Sequence, residues 1–407
     1  MTRDRSFFSS LQCSTCGASY APHFVGEKTC ADDGYLVARY DMAAARNRLA
    51  RTGPDRESSL WRYSAMLPVS EPESAPSLGE GWTPLIRTQR AAERLGCANV
   101  YVKDEGRNPS GTFKDRGASV ALSRYRELGV KAVILNSSGN AGAAFNLYAA
   151  RHGIQCVTIL PADISSASLA QCVLAGGGKN YICEDWHQVG KVTSDLAATN
   201  GWLNVGTLKE PYRLEGKKTM GYEIAEQLGW SLPDAVFYPV GGGTGALAIW
   251  KGFDELRELG WVEERNVRLF VSQYEGCAPI VKAYEEGADA CVPWGRIDIP
   301  PGGLKSPSPP GGKHVLDLVR RTGGAAIAVS ADEARAAVGQ LARDEGLFVG
   351  LEAATTFAAL RKAVERGLVR TSDRIVIVAT GSGLKSVPSL PVQAPPRISV
   401  SEAKQML

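Results

Sequence analysis

A chain of 407 residues, 44% hydrophobic and 22% charged, is long enough to build two packed cores. Its 46 basic and 43 acidic residues are interspersed, leaving a formal charge of +3 with no polybasic run, so a nucleic-acid partner is not expected. No apolar stretch approaches bilayer-spanning length and the first ten residues are polar, which predicts a cytoplasmic protein without membrane contact.

The nine cysteines are odd in number and lie mostly inside apolar runs, which predicts reduced thiols rather than a disulfide frame. At the front of the chain, Cys13 and Cys16 followed by Gly17, then Cys30 and Gly34, have the spacing of a zinc ribbon. A second knuckle should supply the fourth ligand, and Asp33 stands there in place of a cysteine. Three thiolates and a carboxylate can hold zinc, but structural sites overwhelmingly use Cys and His. The expectation is a small packed hairpin that binds zinc weakly or not at all. Cys13, Cys16 and Cys30 are the ligands if an ion is held, with His23 a stray alternative.

Residues 36–56 are Ala- and Arg-rich with helical spacing, punctuated by Gly53 and Pro54. Further on, the segment Lys103-Asp-Glu-Gly-Arg-Asn-Pro-Ser-Gly-Thr-Phe-Lys-Asp-Arg-Gly117 places Lys114 just after a Pro-Ser-Gly turn, near a helix start. Partial burial and the neighbouring Arg116 would push its amine pKa down, favouring the neutral form that condenses with an aldehyde.

Short apolar runs at 100–103, 132–136, 156–160, 235–239, 267–272 and 374–379 alternate with amphipathic stretches. This pattern predicts parallel strands joined by crossover helices, an open α/β architecture whose sites form at the carboxyl ends of the strands. Three of those ends carry glycine-rich turns. Asn136-Ser-Ser-Gly-Asn-Ala-Gly142 offers close backbone approach and side-chain donors. Gly241-Gly-Gly-Thr-Gly245 offers consecutive amides at a helix start, a phosphate cradle that needs no basic side chain. Thr380-Gly-Ser-Gly-Leu-Lys385 is the third.

The run Asn108-Pro-Ser-Gly-Thr-Phe-Lys-Asp-Arg-Gly117 resembles the pyridoxal-5'-phosphate (PLP) lysine motif of threonine synthases, within the fold-type II PLP enzymes of the tryptophan synthase β superfamily. Ser77-Leu-Gly-Glu-Gly-Trp-Thr-Pro-Leu85, Pro211-Tyr-Arg-Leu-Glu-Gly-Lys-Lys-Thr219 and Glu275-Gly-Cys-Ala-Pro-Ile280 are similar to segments of the same branch. With Leu60-Trp-Arg-Tyr63 and the three turns, the resemblance runs in order from residue 10 to residue 390, and cysteine knuckles recur at the front of many threonine synthases.

The resemblance implies two open twisted α/β domains with PLP between them. A cofactor-binding domain would comprise 46–125 and 205–395 and a smaller mobile domain 126–204, with a ribbon-like segment at 1–45 and a tail at 396–407. It also implies a homodimer acting on a phosphorylated amino acid. Lys114 would be the Schiff-base lysine and the base that moves substrate protons. Asn140 would hydrogen-bond the ring phenolate, while Ser137, Ser138 and Gly139 hold the substrate carboxylate. Gly241, Gly242, Gly243, Thr244 and Gly245 would cradle the cofactor phosphate, and Thr380, with Ser382 as the second choice, would sit against the pyridine nitrogen. Arg213 would grip the substrate phosphate with its planar fork; otherwise it pairs with a carboxylate such as Glu215. No catalytic role falls to Glu105 or Glu215.

The chain also departs from the family pattern. Ser168-Leu-Ala-Gln171 has serine where a lysine is usual, Gly303-Leu-Lys-Ser-Pro307 replaces a Gly-Leu-Arg-Val-Pro stretch, and Leu351-Glu-Ala-Ala354 replaces a Pro-Glu-Gly-Ala-like one. Gly176-Gly-Gly-Lys-Asn-Tyr181 also reads unlike the usual turn into a β-branched strand. The implied reaction is γ-elimination of phosphate from O-phospho-L-homoserine, then water addition at Cβ to give L-threonine. The alternative is β-replacement on a phosphorylated amino acid with another nucleophile, as in a cysteate-synthase-like enzyme. A dehydratase and a non-catalytic binding module are disfavoured by the threonine-synthase segments and by the intact lysine and turns.

Overall fold

The structure, a computed structural model, describes residues 5–27, 30–51, 57–176 and 178–399. The chain opens with β1 (Phe8–Cys13), β2 (Ser19–Tyr20), β3 (Leu36–Tyr40) and α1 (Met42–Arg48). There follow β4 (Leu85–Arg87), α2 (Arg90–Leu95), β5 (Asn99–Asp104), α3 (Lys114–Glu127), β6 (Ala132–Asn136), α4 (Asn140–His152), β7 (Gln155–Pro161), α5 (Ser166–Leu174), β8 (Gly178–Cys183), α6 (Val189–Asn200) and β9 (Leu203–Asn204). The remainder is α7 (Tyr212–Gln227), β10 (Ala235–Pro239), α8 (Thr244–Glu258), β11 (Arg268–Tyr274), α9 (Pro279–Glu285), α10 (Gly312–Thr322), β12 (Ala325–Val329), α11 (Ala331–Glu345), α12 (Leu351–Glu365) and β13 (Arg374–Ala379).

Two sheets carry the α/β body. One has the order β8-β7-β6-β9 and is parallel throughout. The other, β12-β11-β10-β13-β5-β4, is parallel except for its edge strand β4, which runs antiparallel to β5 and departs from the all-parallel expectation. Val236, Val376 and Ile377 are buried in its middle, with helices on both faces; continuous apolar runs are what such doubly covered strands require. All six strands expected from the sequence form. Those at 132–136, 235–239 and 374–379 have the expected bounds.

A third sheet, β2-β1-β3, is antiparallel and makes the N-terminal ribbon. It corrects the helical reading of residues 36–56. Leu36–Tyr40 pairs with β1, only Met42–Arg48 is helical, and Gly53 and Pro54 lie outside the described residues. It also corrects the fourth ribbon position. Asp32, not Asp33, stands beside Cys13, Cys16 and Cys30, while Asp33 pairs with Lys313 at 2.7 Å and exposed His23 stays apart. None of the nine cysteines is in a disulfide. No described helix is long and apolar enough to cross a membrane.

Candidate active site

The carboxyl ends of β6, β10 and β13 and the start of α3 converge on one cavity. Lys114, Asn140, Gly241 to Gly245, Glu352 and Thr380 line it. It opens into a second space lined by Ser137, Ser138, Arg213, Thr207 and Lys305. Lys114 belongs to both walls.

Lys114 is the first residue of α3, where its amine faces the cavity 4.4 Å from the Phe113 ring centre. Burial, and then the Arg213 cation, push its pKa down to about 7, with Glu352 opposing. The cationic neighbour is therefore Arg213. The Arg116 expected in that role is turned away, held by Glu105 at 2.7 Å and Glu223 at 2.5 Å with all three side chains fully buried. Lys103 completes this network at 2.6 Å from Glu223. The network anchors the base of α3, since Arg116 lies two residues past the site lysine.

The turn after β10 is built for an anion. Gly243 adopts φ +92°, a left-handed conformation that favours glycine, and caps the start of α8. Among the described residues no protein acceptor takes the amides of Gly241 to Gly245. These five residues, at a helix N-terminus whose dipole attracts negative charge, line the same cavity as a lysine with a lowered pKa. A PLP phosphate in that cradle and its aldehyde at Lys114 fit this donor set. The ring would then lie between Asn140 and Thr380.

The turn after β6 divides its residues. Ser137, Ser138 and Asn140 line the space, with the Ser137 hydroxyl already accepting from the amides of Gly139 (3.1 Å) and Gly142 (2.8 Å). Gly139, at φ +134°, packs against Ser168 with its amide donated to Ser137 Oγ, and is not among the residues lining the space. Asn140 Nδ2 donates to Glu352 Oε1 at 3.4 Å, and Ser168 Oγ donates to Asn140 Oδ1 at 3.3 Å. Thr380 lines the cavity, whereas the Ser382 hydroxyl accepts from Leu384 in the following turn.

Arg213 is 4% exposed. It donates to the Val205 carbonyl, lies 5.1 Å from the Phe145 ring centre, and has no carboxylate within ion-pair distance among the described residues. The alternative pairing with Glu215 does not form: Glu215 binds Lys218 at 2.7 Å, Lys251 and Tyr40. One helical turn after Arg213, Lys217 is also buried, 5.5 Å from the Phe113 ring centre. Burial, then Arg213 and Lys114, hold its pKa well below the usual lysine value. Two residues not singled out in the sequence stand near the site: Lys217, which lies beside Phe113 and close to Arg213, and Glu352, which lines the cavity. The i,i+4 spacing of Arg213 and Lys217 on one helix face is the signal that marks the first. Glu352 sat unexamined inside Leu351-Glu-Ala-Ala354 and accepts from Gly303 N at 2.8 Å.

A lysine, an amide cradle and a doubly wound sheet pair define a PLP enzyme of fold type II. Residues 76–381 match the family of pyridoxal-phosphate dependent enzymes. The diaminopropionate ammonia lyase of Escherichia coli is alike in fold, with a TM-score of 0.66 over 77% of this chain and 87% of its own at 16% identity. A threonine synthase of Methanocaldococcus jannaschii is 35% identical over 376 residues, 92% of each chain, and one of Methanosarcina acetivorans is 35% identical over 377 residues, again 92% of each. The chain belongs to the threonine synthase family of PLP-dependent enzymes.

Proposed function

We propose that the protein converts O-phospho-L-homoserine and water to L-threonine and phosphate, by γ-elimination followed by addition of water at Cβ. The observation that carries this reading is Arg213, a buried guanidinium on the wall of the space beside the lysine that makes no ion pair among the described residues, its charge offset by the Glu210 carboxylate only from beyond ion-pair distance. Burial and the Arg213 cation hold the amines of Lys114 and Lys217 toward their neutral forms, so Arg213 is the standing cation on this wall and the space favours a ligand that brings negative charges. A phosphorylated amino acid has them. Its phosphate would take the free donors of Arg213, and its carboxylate those of Ser138 and the amides around Asn140. Bound PLP supplies the electron sink. Lys114, substantially neutral at a pH near its own pKa, is placed to take protons from the substrate's Cα and Cβ and to return them at Cγ and Cα. Phosphate departs with the electrons of the broken Cγ–O bond, and water adds its hydroxyl at Cβ.

β-Replacement on a phosphorylated amino acid with another nucleophile is the second reading. It is favoured by where the family departures fall: Lys305 and Ser306 line the substrate space, and Ser168 supports Asn140. Incubating the purified holoenzyme with O-phosphohomoserine or O-phosphoserine, and measuring both phosphate and the amino acid formed, decides between them. Threonine from O-phosphohomoserine alone supports the first reading. Phosphate release from neither substrate, with deamination of free threonine or serine, refutes both.

A further inference from the structure

The feature outside the cavity that asks for a ligand is in the ribbon, and it is independent of the PLP chemistry. Cys13 ends β1, Cys16 sits in the turn that follows, and Cys30 and Asp32 lie on the segment returning to β3. Three sulfurs and a carboxylate oxygen from these residues lie within 4.8 Å of one another. Cys13 Sγ is 3.3 and 3.5 Å from the two Asp32 oxygens. Zinc–sulfur bonds of about 2.3 Å and zinc–oxygen bonds of about 2.0–2.2 Å set tetrahedral ligand separations of roughly 3.6 to 3.8 Å. One ion could therefore reach all four atoms after small side-chain adjustments.

The backbone holds Asp32 toward the sulfurs. Gly34 N donates to Asp32 Oδ1 at 2.8 Å. A Cβ at Gly34 would stand 2.7 Å from Cys13 Sγ and 2.9 Å from Asp32 Oδ1, so a residue without one lets the chain pass this close. Asp33 has a different task. Its carboxylate pairs with Lys313 at 2.7 Å and its carbonyl accepts from His314 Nε2 at 2.9 Å, docking the ribbon on the start of α10. Two consecutive aspartates thus divide the work, one turned to the thiols and one to the body.

We propose that Cys13, Cys16, Cys30 and Asp32 form a structural site for a divalent ion of the zinc class, with Asp32 as the fourth ligand. Four protein ligands leave no open position, which makes the site structural rather than catalytic. The thiols bind as thiolates and release their protons on loading, so affinity rises with pH.

The test uses the full-length holoenzyme, kept reduced, with metal analysis after dialysis against chelator and with cobalt(II) titration of the metal-free chain. The expected result is one ion per chain and a cobalt spectrum with intense tetrahedral bands and thiolate charge transfer. Asp32→Ala should weaken cobalt binding at least about tenfold, in line with losing one ligand contact. Asp32→Cys should restore it with stronger charge transfer, and Asp33→Ala should leave it unchanged. The PLP absorption band in each variant reports that the body is folded. Failure of the native chain to bind cobalt at micromolar concentration, weak octahedral bands, or an Asp33→Ala loss equal to that of Asp32→Ala would each overturn the proposal.

Discussion

Replacing Arg213 by lysine keeps the charge and removes the fork. Among the described residues the native guanidinium donates to one side-chain or backbone acceptor, the Val205 carbonyl, and Arg213 lines the substrate space. A lysine amine reaching the same region offers a point charge and at most part of that contact. Losing one charge-assisted hydrogen bond costs about 1.5–3 kcal/mol, roughly a 10- to 150-fold loss of apparent affinity. The loss should appear in KM for phosphorylated substrates and in weaker inhibition by free phosphate. PLP affinity and its absorption band should be unchanged, because the cofactor's phosphate is assigned to the amides of Gly241 to Gly245. Arg213→Gln adds a second readout: removing the cation should raise the Lys114 pKa above about 7. Steady-state kinetics with the cofactor spectrum in the same variants is the assay. Unchanged kinetics, or cofactor lost together with activity, would refute the assignment of Arg213 to the substrate phosphate.

The holoenzyme should be yellow, and borohydride should fix the cofactor on Lys114; label on another lysine in peptide mapping would reject that role. In the cofactor-free chain the rate of PLP capture should rise with pH through about 7 and then level, since the neutral amine of Lys114 is the reactive form. Lys217→Met should stabilise the fold by about 0.5–2 kcal/mol at neutral pH, read from the urea midpoint. The sign follows from its lowered pKa: between the folded and unfolded values the unfolded chain binds the extra proton, so native stability rises with pH and the variant's advantage shrinks toward alkaline pH. Arg116→Met leaves the buried carboxylates of Glu105 and Glu223 without their main partner and should cost about 3–5 kcal/mol, read from the urea midpoint. A loss under about 1 kcal/mol would show that the network is not the anchor of α3.

The parts of the site legible in the sequence are those whose information is local. Gly243 can be read as a turn residue because a φ of +92° favours glycine, and the strands at 132–136 and 374–379 because an apolar run bounded by turn residues already states its length and burial. Lys114 is legible from the Pro-Ser-Gly turn before it. β8 and β12 are harder. Gly178–Cys183 is a partly polar edge strand and Ala325–Val329 is Ala-rich, so neither is distinctive in its own window, and each forms because a formed strand beside it offers its hydrogen bonds.

By itself, then, the sequence determined the α/β class, the glycine turns and the position of the cofactor lysine, because each depends on backbone preferences or motifs within about ten residues. Tertiary structure alone decided which charges meet. Arg116 had carboxylates at hand in the chain, yet it is clasped by Glu105 and by Glu223, the latter 107 positions away. Arg213, next but one to Glu215, makes no ion pair with it, because Lys218 and Lys251 take that carboxylate. Asp32 rather than Asp33 faces the thiols because α10 captures Asp33 from a segment 280 positions distant. Proximity along the chain sets no rule for such pairs: folding brings remote charges together, and burial raises the cost of leaving any of them unmatched.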